Sequence, residues 1–128
     1  MKKVTAAIIY NKDRDQILLA RRAQSSPLSG YWEFPGGKVE SEESLQECIE
    51  RELLEELGVT SKAGEVIVTS EYKYDHGTFK LFGILTEIQQ TDFHMTVHDK
   101  IEWVKLESIL NYQLAPADIP IAKIIMER

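Results

Sequence analysis

A chain of 128 residues, 43% hydrophobic and 28% charged, is long enough for one buried core and too short for two. Its formal net charge of −6 argues against broad binding to nucleic acid polymers, which needs a basic surface. No apolar run approaches the ~20 residues that cross a bilayer. The single cysteine, Cys48, excludes both an internal disulfide and a thiolate metal cluster. The N-terminus has two lysines but neither a long apolar region nor a cleavage site, so the expected compartment is the cytoplasm.

In chain order, residues 4–10 and 16–20 are apolar and β-prone, and the polar turn between them reads as the tip of a hairpin. Residues 23–30 contain Pro27 and Gly30 and read as a loop. Residues 31–34 form a short aromatic extended piece that Pro35-Gly36-Gly37 interrupts. A helix is expected to begin near Ser41 and to close at Gly58, which readily adopts the left-handed conformation of a helix end. Residues 65–74 and 78–87 read as strands joined by Asp75-His76-Gly77. A strand over 101–106, a helical turn over 107–110 and a helix over 119–126 complete the chain. Strands dominate, and they do not alternate regularly with helices. The expected architecture is a single α+β domain over residues 1–128, a mixed sheet packed between helices.

The helical segment is the most unusual part of the sequence. Between Lys38 and Ser61 eight glutamates face only two cations, so this window alone carries a charge of −6. At 100° per residue Glu52, Glu55 and Glu56 share an arc of about 100°. Leu45, Ile49, Leu53 and Leu57 form an apolar stripe beside them, while Leu54 lies off the stripe and is expected beneath a loop. Carboxylates this close repel one another and weaken a helix. Arg51 stands four residues from both Glu47 and Glu55 and can pair with either, leaving Glu52 and Glu56 without a cation. A divalent metal suits such a cluster, because Mg²⁺ takes a few carboxylates together with substrate phosphates. The competing reading is a solvated acidic face. Cys48, within the same helix, reads as a buried structural thiol.

The spacing is Gly37, five residues, Glu43, seven residues, Arg51-Glu52-Leu53, one residue, Glu55-Glu56, one residue, Gly58-Val59. It resembles the signature of the Nudix hydrolases over residues 37–59. Nine fixed or class-restricted positions within 23 residues make chance agreement remote. The preceding Trp32-Glu33-Phe34-Pro35-Gly36-Gly37-Lys38 is similar to the MutT-like branch. The resemblance implies a Nudix fold and hydrolysis of a nucleoside triphosphate to the monophosphate and pyrophosphate, with Mg²⁺ or, as a substitute, Mn²⁺. It implies that Glu55 and Glu56 are metal ligands and that Glu52 is either a ligand or the base that activates water. It also implies close approach of the Gly36 and Gly37 backbone to the metal, with the Gly37 carbonyl as a ligand. Glu43 is expected to support the loop–helix junction, and Arg51 to position glutamates. Relatives often carry a further acid shortly before a late tryptophan. Here Val97 takes that position before Trp103, with Asp99 or Glu102 as possible substitutes.

For the substrate, Arg21 and Arg22 are neighbours on a strand and must point to opposite faces. The resemblance favours Arg22 as the phosphate contact. Lys38 either meets phosphate or offsets Glu40, and Phe34 or Trp32 either stacks on a base or joins the core. Residues 114–120, LAPADIP, resemble a bacterial group within the MutT branch. Its members act on cytosine triphosphates, including 5-methyl-dCTP, and on oxidised purine triphosphates such as 8-oxo-dGTP. Asp118 then reads the base, unless it caps the terminal helix. The chain is expected to act as a monomer or homodimer, with a nucleoside triphosphate as partner and no membrane. Other Nudix activities, on dinucleoside polyphosphates or nucleotide sugars, and a non-catalytic nucleotide-binding module are the alternatives.

Overall fold

Six strands and two helices account for the apolar periodicity in the computed structural model, which describes residues 1–128. In order they are β1 (Lys2–Ile8), β2 (Gln16–Arg22), β3 (Trp32–Glu33), α1 (Leu45–Leu57), β4 (Ser61–Tyr74), β5 (Gly77–Ile88), β6 (His98–Lys105) and α2 (Ile119–Met126). Short 3₁₀ turns at Leu106–Asn111 and Pro116–Asp118 lead into α2. The strands form two three-stranded sheets, ordered β1-β5-β4 and β3-β2-β6. β1 runs parallel to β5 and the other pairings are antiparallel, which is the mixed α+β arrangement expected. No helix is long and apolar enough to cross a membrane.

The hairpin expected from residues 4–10 and 16–20 forms only next to its turn. Tyr10 bridges Ile17, and the Leu18 N–H donates to the Ile9 carbonyl at 3.0 Å. Beyond that point β1 joins β5 and β2 joins β6, in different sheets. The reason lies in burial: residues 5–9 and 17–20 are buried without interruption, on both faces of each strand. A two-stranded ribbon leaves one face wet, whereas strands buried on both sides need layers above and below. Alternate side chains therefore feed two cores. Ala6, Ile8, Ile17 and Leu19 pack toward α2, and Ala7, Ile9 and Leu18 pack toward the Ile49–Leu53–Leu57 stripe of α1.

α1 starts at Ser44, three residues later than the sequence suggested. The Ser44 hydroxyl accepts from the Glu47 N–H at 3.0 Å, and the Glu47 carboxylate accepts from the Ser44 N–H at 2.8 Å. This reciprocal pair satisfies two of the helix's free N–H donors and outcompetes Ser41. At the other end Gly58 has φ 67° and closes the helix on the Leu53 and Leu54 carbonyls. Leu54 does not pack beneath a loop; it is 59% exposed. β6 begins at His98, three residues earlier than expected, and this extension brings His98 into the interior. Ser44→Ala is expected to lower stability by about 1 kcal/mol, read as a reduced urea midpoint at unchanged slope. An unchanged midpoint would show that the Ser44–Glu47 pair contributes nothing.

Candidate active site

The loop after β3 folds back over α1, and Arg51 ties the two together. Its Nε and Nη2 donate to the two oxygens of Glu43 at 2.6 and 3.0 Å. Nη2 also reaches the Lys38 carbonyl at 3.1 Å, and Nη1 donates to Glu52 at 2.6 Å and to Glu55 at 3.0 Å. Glu47 is no partner, because it closes the helix cap. Glu52 therefore does have a cation, contrary to the expectation from helical spacing. The planar fork of guanidinium donors reaches along the helix and across to the loop at once. Arg51 holds the Glu43 carboxyl down to about 2, first through this hydrogen bond and then with help from the Glu40 backbone.

The two glycines fit close approaches of the chain. Gly36 has φ 154°, and a Cβ there would collide with the Thr5 carbonyl. A Cβ on Gly37 would collide with the Glu52 carboxylate. The Gly37 carbonyl, expected as a metal ligand, accepts from the Thr5 N–H at 2.8 Å and the Thr5 hydroxyl at 3.1 Å. The loop is thereby stitched to β1. Cys48 is buried against Thr5, 3.2 Å from its hydroxyl, and burial pushes the thiol above its usual range. It is a structural thiol.

Of the four box glutamates, Glu43, Glu52, Glu55 and Glu56, only Glu56 has a buried carboxylate oxygen, Oε1, without a hydrogen-bond partner. Burial, then the neighbouring Glu52 and Glu33, pushes its carboxyl up to about 9. Glu55 remains 59% exposed. An orphaned buried carboxylate oxygen beside Glu52 is what a divalent cation satisfies, so these residues fit the metal that the box implies. Glu56 would hold it, with Glu52 and Glu55 at its side.

Two residues that sequence reasoning passed over complete the cluster. Glu33 Oε2 accepts from Arg22 Nη1 at 3.2 Å and lies 2.8 Å from Nε2 of His98, whose side chain is 0% exposed. Ligand atoms of Glu33, Glu56 and His98 lie within 4.8 Å of one another. Neither proposed substitute for the acid at Val97 arrives here. Asp99 pairs with Arg21 at 2.7 Å, while Glu102 accepts from Tyr112 at 2.6 Å and sits 2.9 Å from Lys100. The alternation along β3 held the missed signal, since Trp32 and Phe34 enter one core and Glu33 must face the other way. Nothing comparable marked His98, because it lay outside the expected strand.

All six residues expected to meet substrate, Arg22, Phe34, Gly36, Gly37, Lys38 and Asp118, line one cavity of about 300 Å³. Glu33, Phe79 and Leu81 share its wall. Arg21 points away and lies over Trp32, which is core and meets Tyr112 edge-on at 5.0 Å. Asp118 caps nothing with its side chain. It is buried, and one of its oxygens accepts from the Phe34 N–H at 3.2 Å. Burial, followed by Glu33, pushes its carboxyl up to about 8.

The NUDIX domain family model matches residues 1–126. The chain is 40% identical to a CTP pyrophosphohydrolase of Escherichia coli K12, covering 98% of this chain and 92% of that protein. It is 29% identical to an 8-oxo-dGTP diphosphatase of the same strain, over 94% and 95% of the two chains. Among solved structures, the E. coli ORF135 protein superposes with a TM-score of 0.84 at 36% identity, covering 99% of this chain and 89% of that one. A MutT protein from Methanosarcina mazei Go1 gives 0.81 at 28% identity, with 98% and 93% covered. The box geometry around Arg51 and a match running almost end to end lead to one statement: this chain belongs to the NUDIX family and is a hydrolase acting on phosphorus anhydrides.

Proposed function

We propose that this hydrolase is a metal-dependent nucleoside triphosphate pyrophosphohydrolase that converts a (d)NTP and water to the (d)NMP and pyrophosphate. Its proposed role is to clear modified or surplus nucleotides, with CTP, dCTP, 5-methyl-dCTP and 8-oxo-dGTP as candidate substrates. The observation that carries this reading is the continuity of one cleft. Phe79, the buried Asp118, Arg22 and Lys38 all line it, and Glu33 on its wall is grouped with Glu56. Apolar, cationic and acidic groups in one cleft suit the base, phosphates and reacting anhydride of a single nucleotide.

The chemistry divides among the chain's own residues. Arg22 and Lys38 meet the anionic phosphates, and the half-buried Phe79 offers an apolar face to the base. A divalent metal, when bound at Glu56, neutralises polyphosphate charge and eases deprotonation of water. Arg51 holds Glu52 in a fixed position at 2.6 Å, beside the Gly37 backbone and Glu56, where it serves as base or ligand. Water forms the new P–O bond at one of the two phosphorus atoms flanking the α–β bridge, that bridging bond breaks, and the departing phosphate group takes the electron pair. The water's proton passes to a carboxylate. Incubation with dCTP, dGTP or 8-oxo-dGTP and Mg²⁺ or Mn²⁺ should yield monophosphate and pyrophosphate. Orthophosphate release, or no turnover of any triphosphate, would overturn the proposal. Glu56→Gln should lower turnover by at least about 100-fold with the far-UV spectrum unchanged; a fully active variant would remove Glu56 from the reaction.

Asp118 bears on the choice of base. Below about pH 8 its buried carboxyl keeps its proton and offers one donor and one acceptor. That pattern complements the N3 acceptor and 4-amino donor of cytosine. Above that pH the carboxylate only accepts, matching the two adjacent donors of a guanine edge. The ratio of kcat/KM for dCTP to that for 8-oxo-dGTP should therefore fall as pH rises from 6.5 to 9. Asp118→Asn, which always presents a donor and an acceptor, should flatten the ratio. An equally steep ratio in that variant would rule Asp118 out as the reader.

A further inference from the structure

The cluster of Glu33, Glu56 and His98 differs from an ordinary acidic face in composition, burial and origin. Its members come from β3, α1 and β6, three elements brought together only by the fold. Their ligand atoms lie within 4.8 Å of one another, close to the span of about 4 Å across a bound dication. The imidazole is wholly buried, and its Nδ1 has no hydrogen-bond partner; neither has Glu56 Oε1. Each of these buried atoms is costly to leave unpartnered, and they belong to two members of the same cluster.

The ring's tautomers sharpen the point. If Nε2 carries the proton, it donates to Glu33 across 2.8 Å, and the buried Nδ1 lone pair meets no donor. If Nδ1 carries the proton, the Nε2 lone pair faces Glu33 Oε2 across 2.8 Å, which a cation between them would reconcile. Either way one nitrogen lone pair is left for a cation. The nearest fixed positive group is Arg22, which donates to Glu33 at 3.2 Å and orients it, but cannot neutralise two carboxylates.

We propose that His98 supplies an imidazole nitrogen to a divalent-cation position shared with Glu33 and Glu56, one that favours Mn²⁺, Co²⁺ or Zn²⁺ over Mg²⁺. The inference rests on the metal dependence proposed above. The preference follows from donor type: Mg²⁺ favours all-oxygen shells, whereas imidazole favours transition-metal ions. In both tautomers His98 and Glu56 bind the ion, and the part Glu33 plays depends on which nitrogen carries the proton. With Nε2 protonated, Glu33 orients the ligand histidine; with Nδ1 protonated, Glu33 and His98 both bind the ion.

The test is electron spin-echo envelope modulation on the nucleotide-free protein with Mn²⁺ alone. The wild type should show modulation from a coordinated imidazole ¹⁴N. His98 is one of three histidines, with His76 and His94 exposed. The double variant His76→Gln/His94→Gln should keep the modulation, which makes His98 its source even if His98→Gln does not fold. A folded His98→Gln should lose it and bind Mn²⁺ about 10- to 100-fold more weakly, with a smaller change for Mg²⁺. Bound Mn²⁺ without imidazole modulation would overturn this inference and leave the proposed hydrolysis standing. No Mn²⁺ binding would overturn both.

Discussion

The Arg51 guanidinium lets a helix carry this much negative charge on one side. Glu43, Glu52 and Glu55 all take hydrogen bonds from it, at 2.6 to 3.0 Å. Without that cation Glu52 and Glu55 would repel each other within one turn of α1, and the loop bearing Glu43 would lose its anchor on the helix. A lysine cannot substitute, since a point charge has no planar fork to serve several acceptors in different directions. With the loop anchored, Gly36 and Gly37 are pressed against β1 through Thr5, and the cleft acquires one of its walls.

Two carboxyl groups in this molecule share an uncommon condition. Asp118 is buried and Glu56 half-buried; both are pushed upward in pKa by lost hydration, and both are influenced by Glu33. Desolvation makes each a poor place for bare negative charge. In the proposed reaction each would be relieved differently: a cation would compensate Glu56, and hydrogen bonding to a base would complement Asp118. Glu33 lies between them and keeps Arg22 on the cleft wall. A single acidic side chain on a two-residue strand thus bears on both ends of the site, which explains why the short aromatic segment before the glycines matters beyond packing.

The split between β1 and β2 shows how local reading falls short. Their turn was legible, and the chain does reverse there. Which strand pairs with which was not, because pairing partners are chosen by distant segments that compete for two doubly buried strands. The helix cap shows the same limit on a smaller scale, since Ser41 and Ser44 look alike and only Glu47 at the right distance selects the second. Arg51 is a third case. Its expected partners were set by helical spacing, and its strongest partner, Glu43, comes from outside the helix.

What the sequence by itself determined was the box: the spacing of Gly37, Glu43, Arg51, Glu52, Glu55 and Glu56, the closure at Gly58, and the family these imply. Those features are local, so residue type and separation are enough to define them. The tertiary structure alone decided which glutamate has a buried, unpartnered oxygen, that Glu33 and His98 join it, and that Asp118 loses its water. Each depends on what packs over a side chain from a remote part of the chain, and desolvation leaves no trace in the order of residues.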